Sequence, residues 1–136
     1  MTSSLSTRQK GHIPTNINES DIYKTLALIG DKTGPIIGMV PITERLSEKK
    51  LAKASGNKKA AMISLKELKR TTGYVHGANN PIGIYHQKHF PIFIDNSAKG
   101  TTFVCSAGEI NKSIRISADK LADFVSANFV DLLADH

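Results

Sequence analysis

Cysteine and long apolar runs are scarce in this chain of 136 residues. The one cysteine, Cys105, cannot form an intrachain disulfide, and nothing in the sequence points to an oxidising compartment. The longest apolar run, 35–42, is far too short to span a bilayer. The first ten residues are polar and lack the apolar core of a secretory signal. We therefore expect a soluble, cytoplasmic protein with no membrane contact.

Aromatic and acidic residues are also few: aromatics make up 6% of the chain, and 12 acidic residues accompany 18 lysines and arginines. The net charge of +6 lies in residues 43–70, which hold nine basic and three acidic side chains. Such a segment is typical of contact with a nucleic-acid backbone, although solvated, lysine-rich helix faces have the same composition. The segment contains no Phe, Tyr or Trp, so base stacking is not supported there. The candidate phosphate contacts are Lys49, Lys50, Lys53, Lys58, Lys59, Lys69 and Arg70.

Short apolar segments separated by turn residues predict an α+β (mixed α/β) domain. The predicted strands are 22–29, 35–41, 58–63, 91–94, 101–106 and 113–116, with the first two as a hairpin. The predicted helices are 47–54, one from a Ser64–Glu67 capping box to Thr72, 117–127 with Phe124 on its apolar face, and 129–133. We expect a mostly antiparallel or mixed sheet with short flanking helices. One domain is expected over 21–136, after a flexible or atypical segment 1–20.

The segment 72–83 contains three glycines, one proline and two asparagines between two apolar stretches. Glycine permits close approach to the main chain, and Pro81 restricts the conformation of Asn80. The composition predicts a bent loop with exposed backbone N–H groups that suit a small polar or anionic ligand. A structural turn without a ligand fits the same residues.

Lys24 is the most suggestive single side chain, because strand alternation places it on an apolar face with Leu26 and Leu28. It either extends to water from a strand end or contacts an anion in a cleft. Cys105 is expected in the core. Ser106 could offer its hydroxyl to a ligand, and Ala107 and Gly108 their backbone N–H groups.

Metal ligands and an acid–base pair are not marked in the sequence. His86 and His89 are read as loop histidines, because the neighbouring residues add no further ligand at a recognisable spacing. We therefore expect neither a metal nor another cofactor.

Six segments of the chain, taken in order, match the motifs of one known family. They are Tyr-Lys-Thr-Leu at 23–26, Leu-Ser-Glu-Lys-Lys-Leu-Ala-Lys-Ala-Ser-Gly at 46–56, Thr-Thr-Gly-Tyr-Val-His-Gly-Ala-Asn-Asn-Pro-Ile-Gly at 71–83, Pro-Ile-Phe-Ile-Asp at 91–95, Val-Cys-Ser-Ala-Gly at 104–108 and Ser-Ala-Asp-Lys-Leu at 117–121. In this order and spacing they resemble the YbaK/EbsC family of aminoacyl-tRNA deacylases, which are relatives of the editing domain of bacterial prolyl-tRNA synthetases.

The resemblance implies a curved sheet with a cleft for the 3′ end of a charged tRNA. It assigns the main functional role to Lys24, and it matches Gly77 to the key glycine of the loop that contacts the aminoacyl-adenosine. The substrate-binding residues that it implies are Gly77, Ala78, Asn80, Pro81, Gly83, Ser106, Ala107 and Gly108. Ala78 replaces a usual glycine, and Ser113 replaces a frequent acid. The family's elements before Tyr23 are expected to be shortened here.

The implied activity is removal of cysteine from mischarged tRNA(Pro), with the cysteinyl thiol attacking its own ester. The implied partners are aminoacyl-tRNA and prolyl-tRNA synthetase, and we expect a monomer or weak dimer. By charge, residues 43–70 are assigned to the acceptor stem or a synthetase surface. A non-catalytic module that binds tRNA or a synthetase is the alternative. A general nucleotide-binding domain is a third reading, although the phosphate-loop signature is missing.

Overall fold

A five-stranded sheet and a two-stranded ribbon organise the chain in the computed structural model, which describes residues 21–74, 79–109 and 112–134. The described elements are β1 (Tyr23–Gly30), β2 (Gly34–Pro41), α1 (Glu48–Ser55), β3 (Ala60–Met62), α2 (Leu65–Thr72), α3 (Pro81–Lys88), β4 (Ile92–Asp95), a 3₁₀ turn (Asn96–Ala98), β5 (Thr102–Ser106), β6 (Ser113–Ser117), α4 (Ala118–Val125) and β7 (Asn128–Val130). Segment 1–20, predicted to be flexible, and residues Gly77 and Ala78 lie outside the described residues.

The large sheet has the strand order β3-β1-β2-β4-β7. β1 pairs antiparallel with β2 and with β3, whereas β4 pairs parallel with β2 and with β7. β5 and β6 form an antiparallel ribbon of their own. The predicted α+β fold with a mixed sheet and short helices is therefore confirmed.

Both faces of the large sheet are covered. Ile37 and Met39 of β2 belong to a core under the ribbon, α3 and α4. Ile36 and Val40 point to the opposite face and pack with Leu51 of α1. A strand that is buried on both faces has no solvent-facing side and so needs no polar residues. This explains the uninterrupted apolar run at 35–42.

Local capping signals place most of the helices correctly. Ser47 caps α1 by accepting a hydrogen bond from the Lys50 N–H, and the helix ends at Gly56 in the left-handed conformation. Ser117 caps α4 in the same way. The Ser64 side chain makes no capping bond, although α2 does begin there. That half of the predicted capping box is wrong, and the Glu67 N–H instead donates to the Ser64 carbonyl.

Three other predictions are wrong. Residues 81–88 form α3 rather than a loop. Asn80 caps this helix, and Pro81 occupies its first position, where proline is favoured. Residues 128–130 form β7 rather than a helix, because the edge of β4 offers them parallel pairing. Phe124 is 61% exposed rather than on the buried face of α4, and its ring meets the His86 ring edge-on. No helix within the described ranges is long and apolar enough to cross a membrane.

Candidate active site

The first half of β1 has an uncovered edge. β2 pairs with β1 along its whole length, but β3 pairs only with Leu28–Gly30, and an isolated bridge joins Ile22, the residue before β1, to Val104 of β5. Between these contacts, the Thr25 carbonyl accepts a hydrogen bond from Asn79 Nδ2 at 3.0 Å. Side chains from both faces of β1 can therefore reach one opening at this edge.

A cleft of about 310 Å³ occupies that opening. Its polar lining comes from Lys24 and Thr25 of β1, Asn79 before α3, and Ser106 and Ser113, which face each other across the ribbon. Its other lining residues are Ile22, Tyr23, Leu26, Ile42, Cys105 and Lys112. Residues that lie far apart in the sequence therefore line one small space.

Lys24 is half-buried, and its side chain forms no ion pair within the described residues. The sequence left two alternatives for Lys24, extension to water and contact with an anion in a cleft. Lys24 does line a cleft, and its contact with an anion stays a prediction. A partly desolvated ammonium group without a counterion attracts anions strongly. This side of the cleft can therefore hold a phosphate or a developing oxyanion.

Thr25 and Asn79 are site residues that the sequence analysis did not identify. Asn79 is 5% exposed, and its Oδ1 lies 3.1 Å from the Thr72 hydroxyl. Thr25 Oγ1 is buried and has no hydrogen-bond partner in the described part of the chain. Since a buried hydroxyl without a partner is costly, it is well placed to bind a ligand in the cleft. The only sequence signal was its place beside Lys24.

The small-residue turn after β5 is held by its own hydrogen bonds. The Ala107 N–H donates to the Lys112 carbonyl at 3.0 Å, and the Gly108 N–H donates to Ser106 Oγ at 3.3 Å. These two N–H groups are therefore engaged within the turn, contrary to the expectation that both would bind a ligand. The Ser106 side chain is what the turn presents to the cleft.

Tyr74 links this turn to the start of α3. A Cβ atom added at Gly83 would overlap the Tyr74 hydroxyl, and one added at Gly108 would lie 3.2 Å from the same ring. Asn80 Oδ1 accepts from the Gly83 N–H at 2.9 Å, and Pro81 is buried. Asn80, Pro81 and Gly83 are thus tied to the start of α3 and are not among the described residues that line the cleft.

The basic candidates do not form one surface. Lys50 Nζ donates to Asp131 Oδ2 at 2.9 Å and to the Leu133 carbonyl at 2.6 Å. Arg70 pairs with Glu67 at 3.3 Å. The remaining candidates lie elsewhere: Lys53 and Lys69 are exposed on α1 and α2, Lys58 and Lys59 are beside Asp31 at the other end of β1, and Lys49 is in a groove next to the cleft.

Cys105 is a core residue, as predicted. It is 2% exposed, and burial raises the pKa of its thiol to about 12, so it is not a thiolate at neutral pH. Within the described ranges no three metal-ligating side chains lie together. The cleft therefore offers a cation, hydroxyls and an amide rather than a nucleophile with its base.

Comparison with known proteins agrees with this arrangement. The family model described as aminoacyl-tRNA editing domain matches residues 3–124. A protein of Enterococcus faecalis with the provisional name Cys-tRNA(Pro)/Cys-tRNA(Cys) deacylase EbsC is 38% identical over 117 residues, which cover 85% of this chain and 70% of that protein.

Two solved structures share the fold. One, provisionally described as a trans-editing enzyme for prolyl tRNA synthetase, has a TM-score of 0.78 and 22% identity, over 88% of this chain and 74% of the other. The other, hypothetical protein APE2540, has a TM-score of 0.79 and 21% identity, over 88% and 78%. Family model, relative and fold agree, and this chain belongs to the aminoacyl-tRNA editing domain family, as the order of its motifs predicted.

Proposed function

We propose that this protein is a deacylase that removes the amino acid from mischarged tRNA, and that the cleft at the edge of β1 is its active site. One observation carries the proposal: three polar groups line the same small cleft. They are the Lys24 ammonium and the Thr25 hydroxyl, which have no counterion and no hydrogen-bond partner among the described residues, and the Ser106 hydroxyl. An aminoacyl ester beside a phosphate presents the matching groups, namely a carbonyl oxygen that gains charge and a nearby anion.

The preferred substrate in this proposal is Cys-tRNA(Pro). The support is the provisional name of the Enterococcus faecalis relative, which includes this substrate. The chemistry of the cleft is compatible with it. In the described residues, no histidine, aspartate or glutamate lines the cleft, and the buried Cys105 is a poor nucleophile. A substrate that carries its own thiol does not need a nucleophile from the enzyme.

The reaction would then be an intramolecular acyl transfer. The cysteinyl sulfur bonds to the ester carbonyl carbon, the bond from that carbon to the ribose oxygen breaks, and the thiol proton passes to the ribose oxygen. The products are a cysteine thiolactone and a free tRNA 3′ end. Holding such groups in line can lower a barrier by about 7–11 kcal/mol in the best intramolecular cases. Lys24 would hold the terminal phosphate or the ester, and the hydroxyls would orient the carbonyl.

The test is deacylation of Cys-tRNA(Pro) beside Ala-tRNA(Pro) and Pro-tRNA(Pro), by the wild type and by Lys24→Ala. A matched control is Lys32→Ala, which removes the same charge from the exposed turn at the other end of β1. We expect selective loss of the cysteinyl ester, and we expect Lys24→Ala to abolish it and Lys32→Ala to leave it unchanged.

Other results would revise the proposal in definite ways. Turnover of Ala-tRNA(Pro) would keep the deacylase but would exclude the thiol as the required nucleophile, so water would have to attack. Binding of tRNA by a folded protein without any turnover would overturn the deacylase proposal in favour of a binding module.

A further inference from the structure

A second groove meets the active-site cleft at Lys24. It has a volume of about 580 Å³ and runs past the N-terminal end of α1. Lys24 and Leu26 line both the cleft and this groove, so the two lie side by side along the first half of β1. The other groove residues are Arg45, Leu46, Ser47, Glu48, Lys49 and Met62.

The groove carries cations that no acid in the described part of the chain neutralises. Arg45 and Lys49 are exposed, and neither side chain forms an ion pair within the described residues. Among the described residues Glu48 is the one acid in the groove lining, so with Lys24 the groove has an excess of positive charge. Lys112, the other basic residue that lines the cleft, pairs with Glu109 at 3.4 Å. In the described part of the chain, the cations without an ion pair are therefore those on the groove side of the cleft.

We propose that Arg45 and Lys49 bind the phosphates of the unpaired tRNA 3′ end just before the nucleotide that carries the ester. This inference rests on the proposed function. If the aminoacyl ester is held at Lys24, the rest of the tRNA, which is a polyanion, must extend out of the cleft from that point. Arg45 and Lys49 stand where that polyanion exits, and Leu26 and Met62 form an apolar wall along the path. Single-stranded RNA in a basic groove is held mainly by such phosphate contacts.

The inference divides the basic segment 43–70 into parts with different roles. Lys58 and Lys59 lie where the end of β1 pairs with β3, six residues along β1 from Lys24. At about 3.3 Å per residue, that is roughly 20 Å from Lys24. Position along β1, and not overall charge, then determines which cations bind RNA.

The experiment measures binding of a fluorescein-labelled acceptor-stem minihelix ending in CCA, at several salt concentrations, together with KM for the aminoacylated minihelix. The test variant is Arg45→Ala/Lys49→Ala. Lys58→Ala/Lys59→Ala removes the same charge at the other end of β1, and Lys32→Ala is a single-charge control in the turn. Circular dichroism confirms that each variant is folded.

We expect the Arg45→Ala/Lys49→Ala variant to raise Kd and KM about tenfold with little change in kcat, and to make the salt slope shallower by about 1.4, the value for two phosphate contacts on a single strand. The Lys58→Ala/Lys59→Ala variant should change Kd less than twofold. An equal loss in the two double variants, or no minihelix binding by the wild type, would overturn the inference.

The outcomes also separate this inference from the proposed function. Normal deacylation with an unchanged KM in Arg45→Ala/Lys49→Ala would remove the phosphate site and keep the deacylase. Position-dependent minihelix binding without turnover by the wild type would keep the phosphate site and remove the deacylase.

Discussion

The two ends of β1 differ in whether the polar side chains near them have hydrogen-bond or ion-pair partners. At the end near the β1–β2 turn, the Asn57 side chain accepts from the Lys32 and Thr33 N–H groups at 2.7 and 3.0 Å and donates twice more. At the beginning of the strand, Lys24 has no ion pair and Thr25 Oγ1 has no hydrogen-bond partner in the described residues.

This difference separates polar residues whose hydrogen bonds stabilise the fold from polar residues that the described part of the chain leaves available to a ligand. A buried amide whose hydrogen bonds are all made inside the protein contributes to stability and has no free donor or acceptor for a ligand. A hydroxyl or ammonium group without a partner costs stability, and the cost is recovered when a ligand binds. Substitutions at the two ends should therefore affect different measurements.

The largest effect is expected for Lys24→Ala. We expect kcat/KM for the aminoacyl-tRNA to fall at least about 100-fold, because in the proposed mechanism Lys24 supplies the charge that faces the reacting ester. The free energy of unfolding, from urea titration, should change by less than about 0.5 kcal/mol, since no ion pair is broken. A marked loss of stability with normal turnover would contradict the assignment of Lys24 to the ligand.

Asn57→Ala should give the reverse result. Asn57 is 7% exposed, and its removal leaves the N–H groups of Lys32 and Thr33 without their acceptor. We expect the free energy of unfolding to fall by about 2–3 kcal/mol. Activity per folded molecule should stay within twofold of the wild type. Asn57→Asp, which keeps the acceptor oxygen, should lose less stability than Asn57→Ala.

Gly30→Ala and Gly83→Ala compare the same substitution at the end of β1 and in α3, the helix that follows the cleft residue Asn79. A Cβ atom at Gly30 would overlap the Asn57 side chain, so we expect an unfolding cost of about 1–3 kcal/mol. A Cβ atom at Gly83 would displace the Tyr74 ring, which also contacts the turn at Gly108. Gly83→Ala should therefore lower kcat/KM more than Gly30→Ala does. Urea titration and deacylation assays on the two variants decide this, and the opposite ranking in kcat/KM would refute it.

Thr25→Val and Thr72→Val compare two buried hydroxyls. Thr25→Val removes a group without a partner, so stability should stay the same or rise by up to about 1 kcal/mol, while kcat/KM falls about tenfold if the hydroxyl binds substrate. Thr72→Val removes the acceptor of the Tyr74 N–H and should cost about 1–2 kcal/mol. If thermal unfolding shows that Thr25→Val destabilises as much as Thr72→Val, then Thr25 has a structural role.

The smallest effect concerns acid pH. Hydrogen bonds from the backbone N–H groups of Lys59 and Lys58 lower the pKa of Asp31 below its ordinary value. The group therefore stabilises the fold above the unfolded pKa, near pH 4, and this contribution is lost as pH falls through the folded pKa. Asp31→Asn should make unfolding less sensitive to acid below pH 4. Asp131, whose pKa is lowered by its hydrogen bond from Lys50, provides an independent comparison through Asp131→Asn. An unchanged acid profile in Asp31→Asn would show that its hydrogen bonds do not persist in solution.

The helices show how far local sequence signals extend. α1 could be predicted because Ser47 and Gly56 act within one turn of their own helix. β7 could not, because a short apolar segment becomes a strand only when β4 offers its edge. α3 was missed because its Asn-Pro-x-Gly beginning has the composition of a turn, whereas Asn80 and Pro81 there form a helix cap.

The candidate site divides in the same way. Lys24 could be identified from strand alternation and from the motif around it. Thr25 and Asn79 could not, because the bond between them joins residues 54 positions apart. Arg45 was not singled out among nine basic residues, because composition does not reveal which of them form ion pairs with acidic side chains in the folded protein.

The sequence by itself determined the helix starts at Ser47 and Ser117, the apolar strand at 35–41, the family and the basic character of residues 43–70. These properties depend on neighbours within a few positions or on the order of motifs. Only the tertiary structure decided that Lys50 is neutralised by Asp131, while the Lys24 ammonium and the Thr25 hydroxyl find no partner among the described residues at an open strand edge. The reason is physical: whether a polar group is satisfied depends on what the folded chain brings within about 3 Å of it.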